Sequence, residues 1–141
     1  MPLFKSKRNS DGTYGPTSRG DYYISKPDHR RTASYKNGKT RWRIEEGEEF
    51  SVFSIANECC FYCNEANAFF SIINKCQEIL GMDGQRVAKF PAVLNASDPW
   101  HGYPVTTKEP HNRPSSELLD RIQSHDLITL PSRIKIEKGL I

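Results

Sequence analysis

Residues 31–44 read RTASYKNGKTRWRI and contain the clearest local signal in the chain. The Asn37-Gly38 pair suits the two positive-φ positions of a type I′ turn, so this stretch is predicted to form a β-hairpin. Side chains alternate between the two faces of such a ribbon. One face is therefore expected to be largely apolar, and the opposite face is expected to carry the cations Lys36, Lys39, Arg41 and Arg43.

The net charge of the chain changes sign after this segment, which ends at residue 44. Residues 1–44 hold 11 basic and three acidic side chains, a balance of +8, whereas residues 45–141 hold nine basic and 14 acidic ones, a balance of −5. The overall net charge of +3 hides this difference. A field of that kind attracts polyanions to the N-terminal third of the chain, and it bears on partners rather than on fold.

The chain of 141 residues has the length of one ordinary domain. Residues 1–28 are rich in small, polar and basic residues, so we expect them to form a basic, largely extended or flexible arm. Residues 29–141 are expected to form a single globular domain. The sequence begins without the apolar segment of a secretory signal, and no apolar run reaches the roughly 18 residues that cross a bilayer. These features predict a cytoplasmic protein that does not contact a membrane.

Three further segments complete the predicted sheet and its main helix. Residues 50–56, FSVFSIA, are expected to form a strand. Residues 57–80 are predicted to form a long helix, because their apolar residues recur at spacings of three and four. Residues 86–94 are predicted to form another strand, which Pro91 restricts to a sheet edge or a bulge.

The C-terminal region is expected to be helical in short pieces. Ser115 is a suitable cap for a helix that runs to about Ser124. The last residues are ambiguous, because Thr129 with Pro131 can begin a second short helix although the following RIKIE alternates like a strand. The predicted fold is therefore α+β, with a small antiparallel sheet (the 31–44 hairpin and strands near 50–56 and 86–94) packed by the 57–80 helix.

The four cysteines raise the question of a metal site. Cys60 and Cys63 have the spacing of a ligand pair, but on a continuous helix Cys76 would lie ~20 Å further along the axis. We therefore expect the cysteines to pack in the core, and we predict neither a metal nor a cofactor. Cys59 remains a weaker candidate for a nucleophile, because the first turn of a helix lowers a thiol pKa.

The basic third predicts a non-enzymatic module that binds RNA, DNA or another polyanion. Lysine and arginine side chains would contact phosphates, and aromatic rings from the loop DPWHGYPV would stack on bases. The alternative is a solvated face whose charges protect a sheet edge or pair with the glutamates of residues 45–49, while the loop aromatics seal the core. The binding residues predicted are Arg30, Arg31, Lys36, Lys39, Arg41, Arg43, Trp100 and Tyr103.

Two other hypotheses stay open. The protein could be a small enzyme that acts on a nucleotide or nucleic acid, with His101 as acid and base and the arginines as electrostatic clamps. Histidine suits this role because it titrates near neutrality, and His29 is the other candidate. A third hypothesis is a protein partner that docks on the acidic C-terminal two-thirds.

Overall fold

The computed structural model describes residues 3–141 and has an α+β architecture, which confirms the predicted fold class. Four antiparallel strands lie side by side in chain order: β1 (Tyr62–Cys63), β2 (Ala68–Ile72), β3 (Val87–Pro91) and β4 (Tyr103–Val105). Within the described range the helices are α1 (Glu46–Glu58), α2 (Ser116–Ser124) and α3 (Leu130–Glu137). Three short 3₁₀ segments lie at Pro27–His29, Asn74–Cys76 and Pro110–Asn112.

The centre of the sheet is formed by β2 and β3. Phe69 pairs with Phe90 across these strands, and Lys89 pairs with Phe70 on one side and with Tyr103 of β4 on the other. All five residues of β2 are buried. The strand is therefore apolar nearly throughout, since a strand covered on both faces needs no polar side.

Residues 50–56 lie in α1, so the strand predicted there was wrong. The helix begins with a capping box, in which the Glu45 backbone N–H donates to Glu48 Oε1 at 3.1 Å. Three glutamates in the first turn also stabilise the helix, because their negative charges interact favourably with the positive end of the helix dipole. Glutamate is not among the usual N-cap residues, so the sequence carries no common signal for the start of this helix.

The long helix predicted for residues 57–80 was also wrong. This segment contains β1, β2 and the 3₁₀ turn that follows them. The chain leaves α1 where Cys60 adopts a φ of 57°, and it reverses between β1 and β2 where Asn67 adopts a φ of 51°. Such left-handed conformations cannot continue a right-handed helix. The helical spacing of apolar residues arose because a continuously apolar strand satisfies any period.

Residues 31–44 form a tight turn at Asn37-Gly38 without the predicted ribbon. The turn is not the predicted type I′, because Gly38 has a positive φ of 80° and Asn37 does not. The Lys39 N–H donates to the Lys36 carbonyl at 3.1 Å, and these two residues make an isolated bridge across Asn37 and Gly38. No strand of the described sheet includes residues 31–44. The continuous cationic face expected for a hairpin is therefore not formed.

Burial of Trp42 explains why residues 31–44 do not form a hairpin. Its side chain is fully buried, stacks on Phe90 with ring centroids 6.1 Å apart, and donates its indole N–H to the Gly102 carbonyl at 3.2 Å. Its backbone N–H donates to the His29 carbonyl at 2.7 Å, and its backbone also bridges Gly81. Burial of this large side chain outweighs the local preference for a hairpin, since hairpins without a packed face are marginal.

The remaining helices and the remaining strand lie where they were predicted, but β3 is a central strand and not the edge strand or bulge expected from Pro91. Pro91 is the last residue of β3 and lies beyond the residues that pair with β4, so its lack of an N–H does not interrupt that pairing. The strand predicted at 86–94 contains β3, and the helix predicted after Ser115 is α2, with the Leu118 N–H donating to Ser115 Oγ at 3.2 Å. The ambiguous C-terminal stretch forms a helix, α3. Its cap is Thr129, whose Oγ1 accepts the Ser132 N–H at 3.3 Å.

The N-terminal segment packs against α1 through buried tyrosines. Tyr14 and Tyr23 form an antiparallel bridge, and Tyr23 has no exposed surface. The Tyr23 hydroxyl donates to Glu49 Oε1 at 2.6 Å, and Ser25 Oγ donates to Glu49 Oε2 at 2.9 Å. Glu49 is fully buried, and burial raises the pKa of its carboxyl to about 8.

Within residues 3–141, no helix has the length and apolar character needed to span a membrane.

Candidate nucleic-acid interface

A cleft of about 530 Å³ lies between the Asn37-Gly38 turn and β4, which is an edge strand of the sheet. We call it the turn cleft. Two of the predicted phosphate-binding residues and one predicted stacking residue line it, together with histidines from the flanking 3₁₀ segments. The cationic and aromatic side chains of its walls are His29, Tyr35, Lys36, Lys39, Tyr103 and His111.

A stacked aromatic pair forms one wall of the turn cleft. The rings of His29 and Tyr103 have centroids 4.9 Å apart and an interplanar angle of 20°. His29 Nδ1 lies 2.6 Å from the Thr40 carbonyl oxygen, so this nitrogen carries the proton and donates it. Burial lowers the pKa of His29 below its ordinary value. At neutral pH the imidazole is therefore neutral, and it acts as an aromatic surface rather than as a cation.

Tyr35 provides a second aromatic surface. Its side chain is 69% exposed, which is unusual for a ring of this size. The Arg41 guanidinium lies over the ring at 5.9 Å from its centroid, and Arg41 Nη1 also donates to the Ala33 carbonyl at 3.2 Å. Arg41 thus supports the ring and the loop, while the rest of the ring remains open to solvent.

The charges on the rim of the turn cleft are mixed. Lys36 Nζ pairs with Asp28 at 2.8 Å, whereas Lys39 is exposed and has no ion pair within residues 3–141. Asp83 and Glu109 lie on the same rim. Formal charges of the lining lysines and carboxylates therefore cancel, so charge alone does not make this cleft a strong anion site.

A buried lysine, Lys89, bonds to the wall of the turn cleft that His111 and Asn112 form. Lys89 Nζ donates to the His111 carbonyl at 3.0 Å and to Asn112 Oδ1 at 3.1 Å, and its residue is only 8% exposed. No carboxylate pairs with it within the described chain. Burial lowers the pKa of Lys89. A lysine in the middle of the apolar stretch RVAKFPAVL was the sequence signal for this feature, and it was missed along with His111.

The other predicted basic residues lie around the first turn of α1. Arg30 Nε is 3.5 Å from Glu46 Oε1, and its Nη2 donates to the Ser25 carbonyl at 2.9 Å. Arg31 and Arg43 are exposed and border a depression that also contains glutamates of the capping box. The structure thus separates these three arginines from the lysines of the turn cleft, and it pairs Arg30 with the glutamate run as the alternative hypothesis anticipated.

Trp100 lies outside the turn cleft. Its ring packs against Phe69 at 4.9 Å and Phe53 at 6.0 Å between centroids, and its backbone N–H donates to the Tyr22 carbonyl at 2.8 Å. It is partly buried and lines a different groove. The structure therefore does not bring Trp100 and Tyr103 together.

His101 is half-buried and does not line the turn cleft. Its Nδ1 is buried and has no hydrogen-bond partner within residues 3–141. Burial, with smaller contributions from the charges of Lys26 and His29, lowers the pKa of His101. The catalytic pairing of a histidine with an orienting carboxylate is not assembled there by the described residues.

The structure also places the four cysteines. Cys63 and Cys76 are buried, Cys59 is half-buried and Cys60 is exposed. Cys59 lies at the C-terminal end of α1 rather than in the first turn of a helix, and burial and Glu58 raise the pKa of its thiol. The nucleophile hypothesis was therefore based on the wrong end of a helix. Within residues 3–141, no three histidine, cysteine or acidic side chains are grouped to hold a metal ion.

Comparisons with known proteins complete the description of the site. No family model matches the chain, and no significant match is found among curated proteins or among solved structures. Function is therefore inferred from the geometry of the turn cleft.

Proposed function

We propose that the protein is a non-enzymatic binding module that engages single-stranded RNA or DNA at the turn cleft. The observation that supports the proposal is the close grouping on its walls of one exposed and two half-buried aromatic rings with two exposed lysines. Tyr35 and the His29-Tyr103 pair offer surfaces for bases, and Lys36 with Lys39 offers ammonium groups for phosphates.

A single strand fits these walls better than a duplex. In a duplex the flat faces of the bases are covered by their neighbours, whereas an unpaired base can stack on a tyrosine or histidine. The Asn37-Gly38 turn presents its lysines on a short protruding loop beside the rings. That arrangement suits one or two nucleotides rather than a long helical groove.

The charges on the rim of the turn cleft determine how much base stacking and lysine–phosphate contacts each contribute to binding. Lys36 is already paired with Asp28, and Asp83 and Glu109 oppose the lysines. Stacking contributes about 1–3 kcal/mol for each base and does not depend on net charge. We therefore expect stacking to supply the larger share of the binding free energy and the lysines to supply position and salt dependence.

Replacing Lys36 and Lys39 together with glutamine should flatten the salt dependence of binding. For two phosphate contacts on a single strand, the logarithm of the binding constant should fall with the logarithm of salt concentration with a slope of about −1.4. The double variant should have a slope near zero. Fluorescence anisotropy of a labelled oligouridylate, titrated at several salt concentrations, measures both slopes.

A matched control is the exchange of Lys7 and Lys138 for glutamine, since both are exposed and have no ion pair within residues 3–141. This variant has the same net charge as the test variant. Tyr35→Ala should weaken binding without changing the slope, because it removes a stacking surface only. Equal slopes in the two double variants, or no binding of the native protein at ~50 mM salt, would contradict the proposal.

We infer a cytoplasmic location from the thiols. All four cysteines are free, and two of them are accessible to some degree. Free thiols persist in a reducing compartment, whereas an oxidising one favours their pairing. Fluorescence microscopy of a tagged full chain tests this location.

A further inference from the structure

A second groove lies at the opposite side of the sheet, beside β1 rather than β4, and has a volume of about 590 Å³. Aromatic side chains from three parts of the chain line it, namely Trp100, Tyr62 and Phe69, together with the guanidinium groups of Arg19 and Arg121. We propose that this aromatic-arginine groove binds a small molecule that carries both a planar ring and an anionic group.

The two arginines converge on the turn that follows α1. Arg19 Nη1 donates to the Asn57 carbonyl at 3.1 Å and to Cys60 Sγ at 2.7 Å. Arg121 Nη2 donates to the Cys59 carbonyl at 3.4 Å and to the Cys60 carbonyl. Within residues 3–141 neither guanidinium has a carboxylate at ion-pair distance. Two guanidinium groups without an ion pair in the described chain therefore lie at one end of the groove.

Capping of α1 explains only part of this arrangement. Cationic side chains near a helix C-terminus satisfy its last carbonyls and interact well with the dipole. The bonds described above use one nitrogen of each guanidinium, whereas a guanidinium has donors on three nitrogens. The Nε–H and the second amino group of both arginines make no hydrogen bond within residues 3–141. On Arg19 the free Nε–H and Nη2 lie on the same edge of the guanidinium, so they match the two oxygens of a carboxylate or phosphate. On Arg121 the free Nε–H and Nη1 point in different directions and act as separate donors.

The aromatic wall supplies the second half of the recognition. Tyr62 and Trp100 both pack on Phe69, with centroid distances of 5.2 and 4.9 Å, and both remain partly exposed. The Tyr62 hydroxyl donates to Asn67 Oδ1 at 3.0 Å, which holds the tyrosine in place. Rings fixed by their neighbours bind a planar ligand with little loss of side-chain entropy. The groove thus combines a preformed stacking surface with free anion donors.

Fluorescence provides a direct test, because Trp42 and Trp100 are the two tryptophans of the chain and Trp42 is fully buried. Quenching by an added ligand therefore reports on Trp100. Benzoate and uridine monophosphate should both quench saturably, and the tighter of the two assigns the anion as a carboxylate or a phosphate. Inorganic phosphate, which lacks a ring, should bind at least about ten times more weakly than uridine monophosphate, a difference in binding free energy of ~1.4 kcal/mol.

Arg19→Gln is the primary variant, because this side chain is exposed and its loss should leave the fold intact. We expect it to weaken binding of the tighter ring compound about ten-fold or more, whereas Arg43→Gln, an exposed arginine outside the groove, should bind like the native protein. Bound ligand should also protect Cys60 from alkylation by iodoacetamide, since Cys60 is exposed and lines the groove.

Three results would overturn this proposal. They are the absence of saturable quenching by either ring compound, equal affinities of the Arg19→Gln and Arg43→Gln variants, and binding of inorganic phosphate as tight as that of uridine monophosphate. In the Lys36→Gln, Lys39→Gln double variant, the ring compounds should quench Trp100 fluorescence as they do in the native protein. The groove and the turn cleft can therefore fail or succeed independently.

Discussion

Replacing Trp42 with alanine should lower the free energy of unfolding by about 3–5 kcal/mol, the range found for large aromatic-to-alanine changes in cores. The indole is fully buried, stacks on Phe90 and is the hydrogen-bond donor to the Gly102 carbonyl. The variant creates a cavity and leaves that carbonyl without its partner, and the two costs add. Urea denaturation followed by circular dichroism measures the loss.

Two further variants make this result interpretable. Trp42→Phe keeps an apolar ring against Phe90 but removes the indole N–H, so it should cost about 1–3 kcal/mol and remain folded if the alanine variant does not. Tyr35→Ala, at an exposed ring, should change stability by no more than ~0.5 kcal/mol. A loss at Trp42→Ala no larger than that at Tyr35→Ala would show that Trp42 does not anchor the segment.

Glu49→Gln should remove a large part of the pH dependence of stability. The folded-state pKa of Glu49 is about 8, whereas an unfolded chain has the ordinary value of 4.5. Between these values the folded protein keeps the proton and the unfolded chain loses it, so stability is full below pH 4.5 and declines as pH rises toward 8. The difference corresponds to on the order of 5 kcal/mol at most.

Glutamine suits this test because it is neutral and has nearly the shape of protonated glutamic acid. Its carbonyl oxygen can accept the Tyr23 hydroxyl, so the contact to the N-terminal segment is kept. We expect the variant to match the native protein near pH 5 and to be more stable than it at pH 8 to 9. Equal stabilities at both ends of this range would contradict the burial of an uncompensated carboxyl.

The comparison must be made as a difference between the two proteins. His29 and His101 have lowered pKa values, so their contribution has the opposite sign: it is present above the ordinary pKa of 6.5 and is lost as pH falls. Glu46 also lies near Glu49 and raises its pKa, whereas Arg30 lowers it. The histidine contributions are common to both proteins and cancel in the difference, whereas the effects of Glu46 and Arg30 on the Glu49 carboxyl remain in it as part of the Glu49 contribution.

Local signals in the sequence predicted elements correctly where the local preference and the packing agree. Ser115 caps α2 as expected, because a side-chain oxygen acts within three residues of its position. Thr129 caps α3, which is the helical one of the two alternatives that the sequence left open. The prediction failed at residues 50–80, where apolar residues are so dense that helix and strand periods both fit. Burial of β2 on both faces removed the alternation that identifies a strand.

The candidate site was predictable only in part, for a related reason. The lysines at 36 and 39 were found because a two-residue turn fixes their position from sequence alone. The stacking of His29 on Tyr103, and the position of Lys89 behind the cleft, join residues that are far apart in the chain. Such juxtapositions follow from the path of Trp42 and the order of the strands, which the local pattern does not contain.

The brevity of the two outer strands has a consequence for self-association. β1 has two residues and β4 has three, and the middle residue of β4 is Pro104, which has no amide hydrogen to donate. An incoming peptide or a second copy of the sheet would find too few consecutive backbone groups to extend the ladder on either side. The folded chain is thereby protected from edge-to-edge aggregation, and a peptide cannot bind it by extending either edge of the sheet.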